Sequence, residues 1–301
     1  MTNPSQSFKL ILKRIIPNSI WVVIIAIYVY IGRLSVWLAL MWQVRGASCF
    51  DQAKLFLSAL LAPITCLNDL GIWQDPQLLF DCTVRVKGVG LFFLRKFTDD
   101  LYHVFPGREH RVFSHHRENL VNGDVYIDAG ANIGFYTVLA SKLVGHAGKV
   151  IAIEMVPETM SILVKNCKLN KLSNVTFVNN ALSKSDNKPV KASVFAGHFG
   201  QSSIYRHESH MVKHYVSTTT VTLNSMISAS SLAAVRLIKL DIEDAEFFAL
   251  QGCMASFNKV QSFIYEALSR EKSNEISELL VSSGYDISPL DMRNSLALRN
   301  H

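Results

Sequence analysis

The sequence lacks the cysteine patterns that indicate a disulfide framework or a zinc site. Its five cysteines are scattered, odd in number and without a C-x-x-C pair. Such usage is typical of reduced thiols in a cytosol-facing protein, because disulfides persist mainly in oxidising compartments. The chain also shows no internal repeat and no low-complexity segment. These absences argue against a disulfide-stapled scaffold and a repeat architecture, and we expect no metal centre.

Charge of one sign is not concentrated anywhere in the chain. The formal net charge is +6, and the basic residues do not form a stripe. This modest excess suits an anionic substrate or a membrane surface. Nothing beyond the charge supports sequence-specific nucleic-acid binding, so we expect no nucleic-acid partner.

Residues 20–42 form a long apolar run near the N-terminus. They contain a single charge, Arg33, and are numerous enough to span about 30 Å of hydrocarbon. Trp21 and Trp42 stand near the ends of the run, where interfacial anchors are common. The run therefore predicts a membrane-associated N-terminal hydrophobic helix. The alternative interpretation is a helix that packs within the protein or in a homodimer interface.

The most informative stretch runs from Val125 to Leu139. A short apolar strand, Val125 to Ile127, ends on Asp128, and Gly130 and Gly134 bracket a turn before a helical apolar pattern. A strand followed by a glycine-containing turn and a helix is typical of the first βα unit of a nucleotide-binding α/β fold. Glycine suits such a turn because the backbone there takes unusual φ values and a ligand approaches its amides.

The pattern of acids around this turn favours S-adenosylmethionine over a dinucleotide. The loop lacks the middle glycine of the G-x-G-x-x-G fingerprint, and Asp128 precedes it, where a carboxylate suits a cationic amino-acid end. The next predicted strand, 150–153, ends on Glu154, which could accept both hydroxyls of a ribose. Asn132, within the loop, is a further candidate cofactor contact. The alternative is a structural glycine turn with a surface glutamate.

Later strands predict the rest of the site. Asn180 and Ala181 follow the third strand and are candidates to lie beside the adenine, although an ordinary strand-ending turn is the alternative. The fourth strand, 235–240, delivers Asp241, which could accept a proton from a substrate hydroxyl or could instead cap the next helix or contact the cofactor. Glu266, at the end of the fifth strand, is the second candidate catalytic acid.

The residues between the third and fourth strands interrupt the βα rhythm. An insertion near the carboxyl ends of the strands is a natural place for substrate contacts. Within it, His207, His210 and His214 have helical spacing. They could bind a metal or an anionic group, but no Asp or Cys completes a ligand set. We interpret them as solvated positions on a helix.

Several of these motifs together resemble the FkbM family of S-adenosylmethionine-dependent methyltransferases. The resemblance covers roughly residues 80–290, and two positions depart from the usual family pattern: Asp244 stands where glycine is usual, and Asn224 where aspartate is usual. The motifs that carry it are Asp128-Ala-Gly-Ala-Asn-Ile-Gly134, Glu154, Asn180-Ala-Leu-Ser183, Lys239-Leu-Asp-Ile-Glu-Asp-Ala-Glu246 and Phe263-Ile-Tyr-Glu-Ala267. The resemblance implies a Rossmann-like class I methyltransferase fold with a seven-stranded mixed sheet and helices on both faces.

The expected organisation has three parts: a hydrophobic helix (1–45), a helical and hairpin lead-in (46–120) and the methyltransferase domain (121–301). The resemblance implies O-methylation of a sugar, glycolipid or secondary-metabolite hydroxyl, so we expect a small-molecule or glycan acceptor. A domain that uses this cofactor should face the cytoplasm, either at a membrane or free in the cytoplasm. Two other classes stay open: an NAD(P)-binding oxidoreductase of Rossmann type and a non-catalytic nucleotide-binding module.

Overall fold

The computed structural model describes residues 18–65, 75–195, 198–204, 212–267 and 269–300. Upstream of the α/β domain, the segment that we call the lead-in from here on, residues 18–120, contains α1 (Asn18–Gln43), β1 (Val44–Gly46), α2 (Cys49–Thr65), β2 (Cys82–Val86), β3 (Gly90–Leu94), α3 (Asp100–His103) and α4 (His110–Asn119). The first half of the α/β domain contains β4 (Val125–Ala129), α5 (Phe135–Val144), β5 (Lys149–Ile153), α6 (Pro157–Leu169), β6 (Val175–Val178) and β7 (Ala181–Leu182).

An inserted group of strands follows: β8 (Pro189–Phe195), β9 (His198–Ser203) and β10 (Val212–Val221). The second half contains α7 (Leu223–Ala229), β11 (Leu237–Leu240), α8 (Glu246–Gln251), a 3-10 helix (Met254–Lys259), β12 (Ser262–Glu266), α9 (Arg270–Ser282), β13 (Tyr285–Pro289) and β14 (Asn294–Arg299).

One seven-stranded sheet organises the α/β domain, in the order β13-β14-β12-β11-β4-β5-β6. Strand β14 is antiparallel to both of its neighbours, and the pairs from β12 to β6 are parallel. All four residues of β11 are buried, as expected for a parallel strand that is covered on both faces. The predicted seven-stranded mixed sheet of a Rossmann-like fold is therefore confirmed.

Helices cover the sheet on both faces and create two apolar cores. On one face, α5 and α6 contribute Val138 and Leu163, both fully buried, to a core that they share with the lead-in. On the other face, α7, α8 and α9 contribute Ile227, Leu250 and Leu280. This two-layer covering fixes the sheet and leaves the carboxyl ends of its parallel strands at one edge.

The lead-in contains a small antiparallel sheet, β1-β2-β3, in which β2 and β3 form a hairpin. The fully buried side chain of Asn166, on α6, ties this sheet to the α/β domain. Its Oδ1 accepts a hydrogen bond from the backbone N–H of Phe93 at 2.7 Å, and its Nδ2 donates to the carbonyl of Ile133 at 2.8 Å. The lead-in is thereby held beside the loop that leads into α5.

The prediction of a transmembrane helix over residues 20–42 is wrong. Among the described residues, no helix is long and apolar enough to cross a membrane. The C-terminal half of α1 instead packs on the protein: Trp37 and Leu40 are buried in the core that includes the lead-in sheet, and Arg33 is only 5% exposed. Hydropathy alone does not distinguish an apolar face that is turned toward protein from one that is turned toward lipid.

The three inserted strands join β7 in a separate four-stranded sheet, in the order β7-β10-β8-β9. His214 lies in β10, so the interpretation of the three histidines as one helical surface is wrong at that position. His207 and His210 lie outside the described residues. The insertion is thus a β-structure attached beside β7, near the carboxyl edge of the large sheet.

We predict that Asn166→Ala destabilises the fold by about 1–3 kcal/mol, because it leaves buried backbone groups without partners. Urea unfolding measures the change. Lys168→Ala, an exposed substitution on the same helix, is the matched control and should leave the free energy of unfolding nearly unchanged. Equal effects of the two substitutions would contradict the role given to Asn166.

Candidate functional site

The carboxyl ends of β4, β5, β11 and β12 meet at one edge of the sheet, where two cavities adjoin. The larger, of about 950 Å³, is lined by Asp128, Asp241 and Glu266 among others. The smaller is lined by Glu154, Asn180, Ala181 and other residues. Gly130, Asn132 and Asp241 line both cavities. Of the sequence-predicted site residues, the structure therefore brings all but Gly134 to this edge.

The β4–α5 loop is shaped by backbone conformations that favour glycine. Gly130 has a φ of +78° and Gly134, which precedes α5, has a φ of +94°. A Cβ on Gly130 would lie 1.9 Å from the carbonyl oxygen of Asp241, so the close approach of β11 also requires glycine there. Asn132 adopts a left-handed φ of +47°, which asparagine tolerates better than most residues.

Glu154 fixes this loop from the neighbouring strand. Its Oε2 accepts a hydrogen bond from the backbone N–H of Asn132 at 3.0 Å, and its Oε1 accepts one from the N–H of Val156 at 2.9 Å. Burial raises the pKa of Glu154 to about 7, although these two donors act to lower it. Each carboxylate oxygen keeps further lone-pair capacity toward the cavity.

Asp128 is more enclosed than its sequence position suggests, with only 1% of its surface exposed. Its Oδ1 accepts a hydrogen bond from the hydroxyl of Tyr126 at 3.2 Å, and its Oδ2 accepts one from Thr137 at 2.5 Å. Burial raises the pKa of Asp128, whereas the charge of Lys239 opposes that rise. Asp128 is thus a rigidly held carboxylate in the cavity wall.

One buried polar atom at the site has no partner among the described residues. Oδ1 of Asn132 is buried and accepts no hydrogen bond, although Asn132 lines both cavities. A buried unpaired acceptor costs free energy unless a ligand satisfies it. Together with the glycine at residue 130 and the carboxylates of Asp128 and Glu154, this atom fits a nucleoside ligand that carries hydroxyl and ammonium donors.

The inserted strands cover the smaller cavity. Ser202 and Ile204 line it, and the hydroxyl of Ser203 donates to the carbonyl oxygen of Glu243 at 2.7 Å. This hydrogen bond joins the insertion to the loop after β11. The predicted contacts Asn180 and Ala181 lie in the same cavity, where Nδ2 of Asn180 also donates to Thr219 of β10 at 2.9 Å and 3.1 Å.

The loop after β11 contains two successive residues with positive φ, Glu243 at +52° and Asp244 at +80°. The second is the position where the resembling family usually has glycine, and the backbone conformation supplies the physical reason. Asp244 retains that conformation with a side chain that pairs with Nζ of Lys272 at 2.7 Å. A left-handed non-glycine residue costs roughly 1–2 kcal/mol, so this loop is held under strain beside the cavity.

Lys239 is a functional candidate that the sequence analysis missed. It is 2% exposed, its Nζ lies 2.7 Å from Oδ2 of Asp241, and it stands over the ring of Tyr136 at 4.9 Å. Burial acts to lower the pKa of Lys239, but Asp241 and Glu109 outweigh it and raise the pKa. The sequence did contain an indication of this role. Lys239 is a lysine within an apolar strand, and it stands two residues before Asp241, so both side chains lie on the same side of the strand.

The two candidate catalytic carboxyls have opposite pKa shifts. Burial acts to raise the pKa of Asp241, but Lys239 and Arg108 outweigh it and hold the pKa well below its usual range. Burial, followed by the adjacent negative charge of Asp241, raises the pKa of Glu266 to about 8. Near neutral pH, Asp241 is therefore ionised and Glu266 is mainly protonated, within hydrogen-bonding reach of each other.

The lead-in contributes a second wall that the sequence analysis also missed. The hydroxyl of Tyr136 donates to Glu109 at 2.8 Å, and Glu109 pairs with Arg108 at 2.7 Å. Nη1 of Arg108 lies 3.0 Å from Nδ1 of His103, and Nε2 of His103 lies 3.1 Å from Asp99. Because a guanidinium only donates, Nδ1 accepts and the imidazole N–H points at Asp99. All five residues line the larger cavity.

Comparison with known families gives a match over more than half of the chain. The profile described as Methyltransferase FkbM domain matches residues 128–287, which include the glycine loop, Glu154, Asp241 and Glu266. No curated protein matches the sequence.

Solved structures with a similar chain path include three methyltransferase-fold proteins. An S-adenosylmethionine-dependent O-methyltransferase from Thermotoga maritima is 14% identical, with 78% of this chain and 82% of that chain covered and a TM-score of 0.42. A precorrin-6y C5,15-methyltransferase from Geobacter metallireducens is 14% identical over 64% and 89%, with a TM-score of 0.39. Aeropyrum pernix fibrillarin with bound S-adenosyl-L-methionine is 12% identical over 60% and 67%, with a TM-score of 0.37.

We predict that Gly130→Ala abolishes binding of S-adenosylmethionine, because the new methyl group would collide with the backbone of Asp241. Gly88→Ala is the matched control, since Gly88 has a φ of +75° and open space around its Cα. Both variants bear a cost of roughly 1–2 kcal/mol for the left-handed alanine, and only Gly130→Ala adds the collision. Calorimetric titration should show cofactor binding for the control alone. Equal binding by both variants would contradict the close approach of β11.

Proposed function

This chain belongs to the FkbM methyltransferase domain family, and from that premise we propose that it methylates a hydroxyl oxygen of a sugar, glycolipid or secondary metabolite. It is a methyltransferase that uses S-adenosylmethionine. One observation supports the assignment of roles most directly: Asp128 and Glu154, at neighbouring strand ends, face adjoining cavities that meet at Gly130 and Asn132. Because the matched family is one of methyltransferases, the alternative of an NAD(P)-binding oxidoreductase is no longer favoured.

The proposed cofactor contacts follow from the two cavities. Glu154 would hold the ribose hydroxyls, while Asn180 and Ala181 would lie beside the adenine in the smaller cavity under Ile204. Asp128 and the unpaired Oδ1 of Asn132 would face the amino-acid end in the larger cavity. The sulfonium of the cofactor supplies an activated methyl group to the acceptor oxygen.

The larger cavity would then receive the acceptor beside Asp241 and Glu266. An acceptor hydroxyl loses its proton when its oxygen becomes methylated, and that proton must pass to a base. Asp241 is a weak proton acceptor because Lys239 holds its charge. Glu266, with a pKa of about 8, is the better acceptor, and Asp241 would position it. In-line placement of oxygen, methyl and sulfur should supply most of the acceleration.

We predict that Glu154→Ala weakens S-adenosylmethionine binding by at least about 10-fold, since hydrogen bonds to a charged group are worth about 1.5–3 kcal/mol. The variant also releases the N–H of Asn132 and so loosens the glycine loop. Isothermal titration measures the dissociation constant. Glu158→Ala, an exposed substitution on α6, should bind as the wild type does. Unchanged affinity in Glu154→Ala would contradict the proposed ribose contact.

We predict that methyl transfer accelerates as the pH rises through the pKa of Glu266, about 8 in the free protein. The carboxylate form, which can accept a proton, is populated above that pKa and lost below it. The positive charge of bound cofactor should move this limb to lower pH.

Transfer of labelled methyl into a small-molecule extract measures the rate. Glu266→Gln should remove the rising limb and lower the rate by about 10²–10⁴-fold, the usual contribution of a positioned base. Cofactor affinity should stay close to that of the wild type. A pH profile that keeps the limb in Glu266→Gln would show that another group accepts the proton.

A further inference from the structure

The mouth of the larger cavity is bounded by two segments that are distant in sequence. One is the start of α4, with His110 and Arg111, and the other is the turn between β13 and β14, with Met292 and Arg293. Nη1 of Arg111 donates to the carbonyl oxygen of Leu290 at 3.0 Å, which joins the two segments. His110, Arg111, Met292 and Arg293 are all exposed, so an acceptor would meet these side chains first.

Acidic side chains inside the cavity already have partners. Asp128 accepts from Tyr126 and Thr137, as described above, and Asp241 holds Lys239. Glu109 accepts from Tyr136 and pairs with Arg108. At the mouth, Asp291 accepts from the backbone N–H of Arg293 and from the side-chain amide of Asn294. These four acids are thus committed to the protein's own donors, and four further acids also line the cavity: Asp75, Asp99, Glu243 and Glu266.

The arginines of the cavity, by contrast, have donors to spare. A guanidinium has five N–H groups, and Arg108 uses one toward His103 and one toward Glu109 within the described structure. Arg111 uses one toward Leu290. The side chain of Arg293 is 75% exposed and only approaches Glu266, at 3.5 Å. Because Glu266 is mainly protonated near neutral pH, that contact does not neutralise Arg293.

Tyr102 lies near two of these guanidinium groups in the same cavity. The guanidinium carbon of Arg108 lies 5.8 Å from the ring centroid of Tyr102. Burial and the charge of Asp75 raise the pKa of Tyr102, and the charges of Arg108 and Arg293 oppose that rise. The charges of Glu109 and Asp241 also act on Arg108. Planar, fork-shaped donors that line one cavity match the oxygens of a carboxylate or a phosphate.

We propose that the acceptor carries an anionic group, a carboxylate or a phosphate, which Arg293, Arg111 and Arg108 hold at the mouth while the reacting hydroxyl lies beside Glu266 and Asp241. This inference rests on the proposed methyl transfer and adds the charge class of its acceptor. The net charge of +6 is consistent with such a ligand, because a positive protein attracts anions over distance.

Separation of acceptors by charge tests the proposal. Small molecules extracted from cells that make the protein are divided on ion-exchange resins into anionic, neutral and cationic pools. Each pool is incubated with the full chain and S-adenosylmethionine that carries a labelled methyl group. We expect label in the anionic pool. If prior phosphatase treatment removes that labelling, the anionic group is a phosphate monoester, and if labelling persists, it is a carboxylate or a phosphodiester.

Two outcomes would overturn the proposal in distinguishable ways. Label that is confined to the neutral or cationic pool would show methyl transfer to an acceptor without the proposed anionic group. No label in any pool, with cofactor binding intact in the calorimeter, would instead contradict the proposed function and the acceptor class together.

The combined substitution Arg111→Gln and Arg293→Gln tests the residues. Both side chains are exposed, so the fold should tolerate the change. We expect the rate of transfer to a limiting amount of the anionic pool to fall by about 10–100-fold, as loss of charge-assisted hydrogen bonds implies, with unchanged cofactor affinity. Arg85→Gln removes an exposed arginine of β2 outside the cavity and should transfer normally. Unchanged transfer in the combined variant would exclude these arginines as the anion site.

Discussion

A single buried ammonium group makes the acid-rich cavity compatible with a folded protein. Lys239 is almost fully enclosed, contacts Asp241 directly and compensates the charges of Asp128 and Glu109. Burying carboxylates without such a partner would cost several kcal/mol for each ion. The same lysine stands over Tyr136, whose hydroxyl reaches the lead-in through Glu109. The charge of Lys239 therefore stabilises acids from three parts of the site: Asp128 in β4, Asp241 after β11, and Glu109 in the lead-in.

This arrangement also separates the roles of the two candidate catalytic carboxyls. Asp241 lies next to the lysine and stays ionised, whereas Glu266 lies nearer the mouth and keeps a proton because burial, and then the negative charge of Asp241, raise its pKa. In many enzymes, two adjacent acids have pKa values that are pushed apart, so that one stays ionised while the other exchanges a proton. The strained backbone at Glu243 and Asp244 lies between this pair and the cover supplied by the inserted strands.

Sequence patterns predicted the part of the site that is formed by turns and strand ends within the α/β domain. The glycine turn, Glu154 and the acids at the strand ends follow from period, turn chemistry and the rule that parallel strands end at one edge. The wall formed by Asp99, His103, Arg108 and Glu109 could not be predicted in this way. Its contacts with Tyr136 and the mouth of the cavity arise only when the lead-in packs against α5 and α6.

The apolar segment 20–42 shows where a prediction from composition fails. Its composition is that of a membrane helix, but composition does not record which face meets the core. The burial of Trp37 and Leu40 is explained by packing in the core that includes the lead-in sheet, and Arg33 is also enclosed. His214 similarly belongs to a strand because β10 pairs along β8, and a spacing of three and four residues carries no information about such pairing.

Part of the wall that would face the acceptor comes from outside the matched family region, residues 128–287. Arg108 and Arg111 precede that region and Arg293 follows it, whereas Gly130, Glu154, Asp241 and Glu266 lie within it. We therefore expect substitutions outside the matched region to change the choice of acceptor while cofactor binding stays the same.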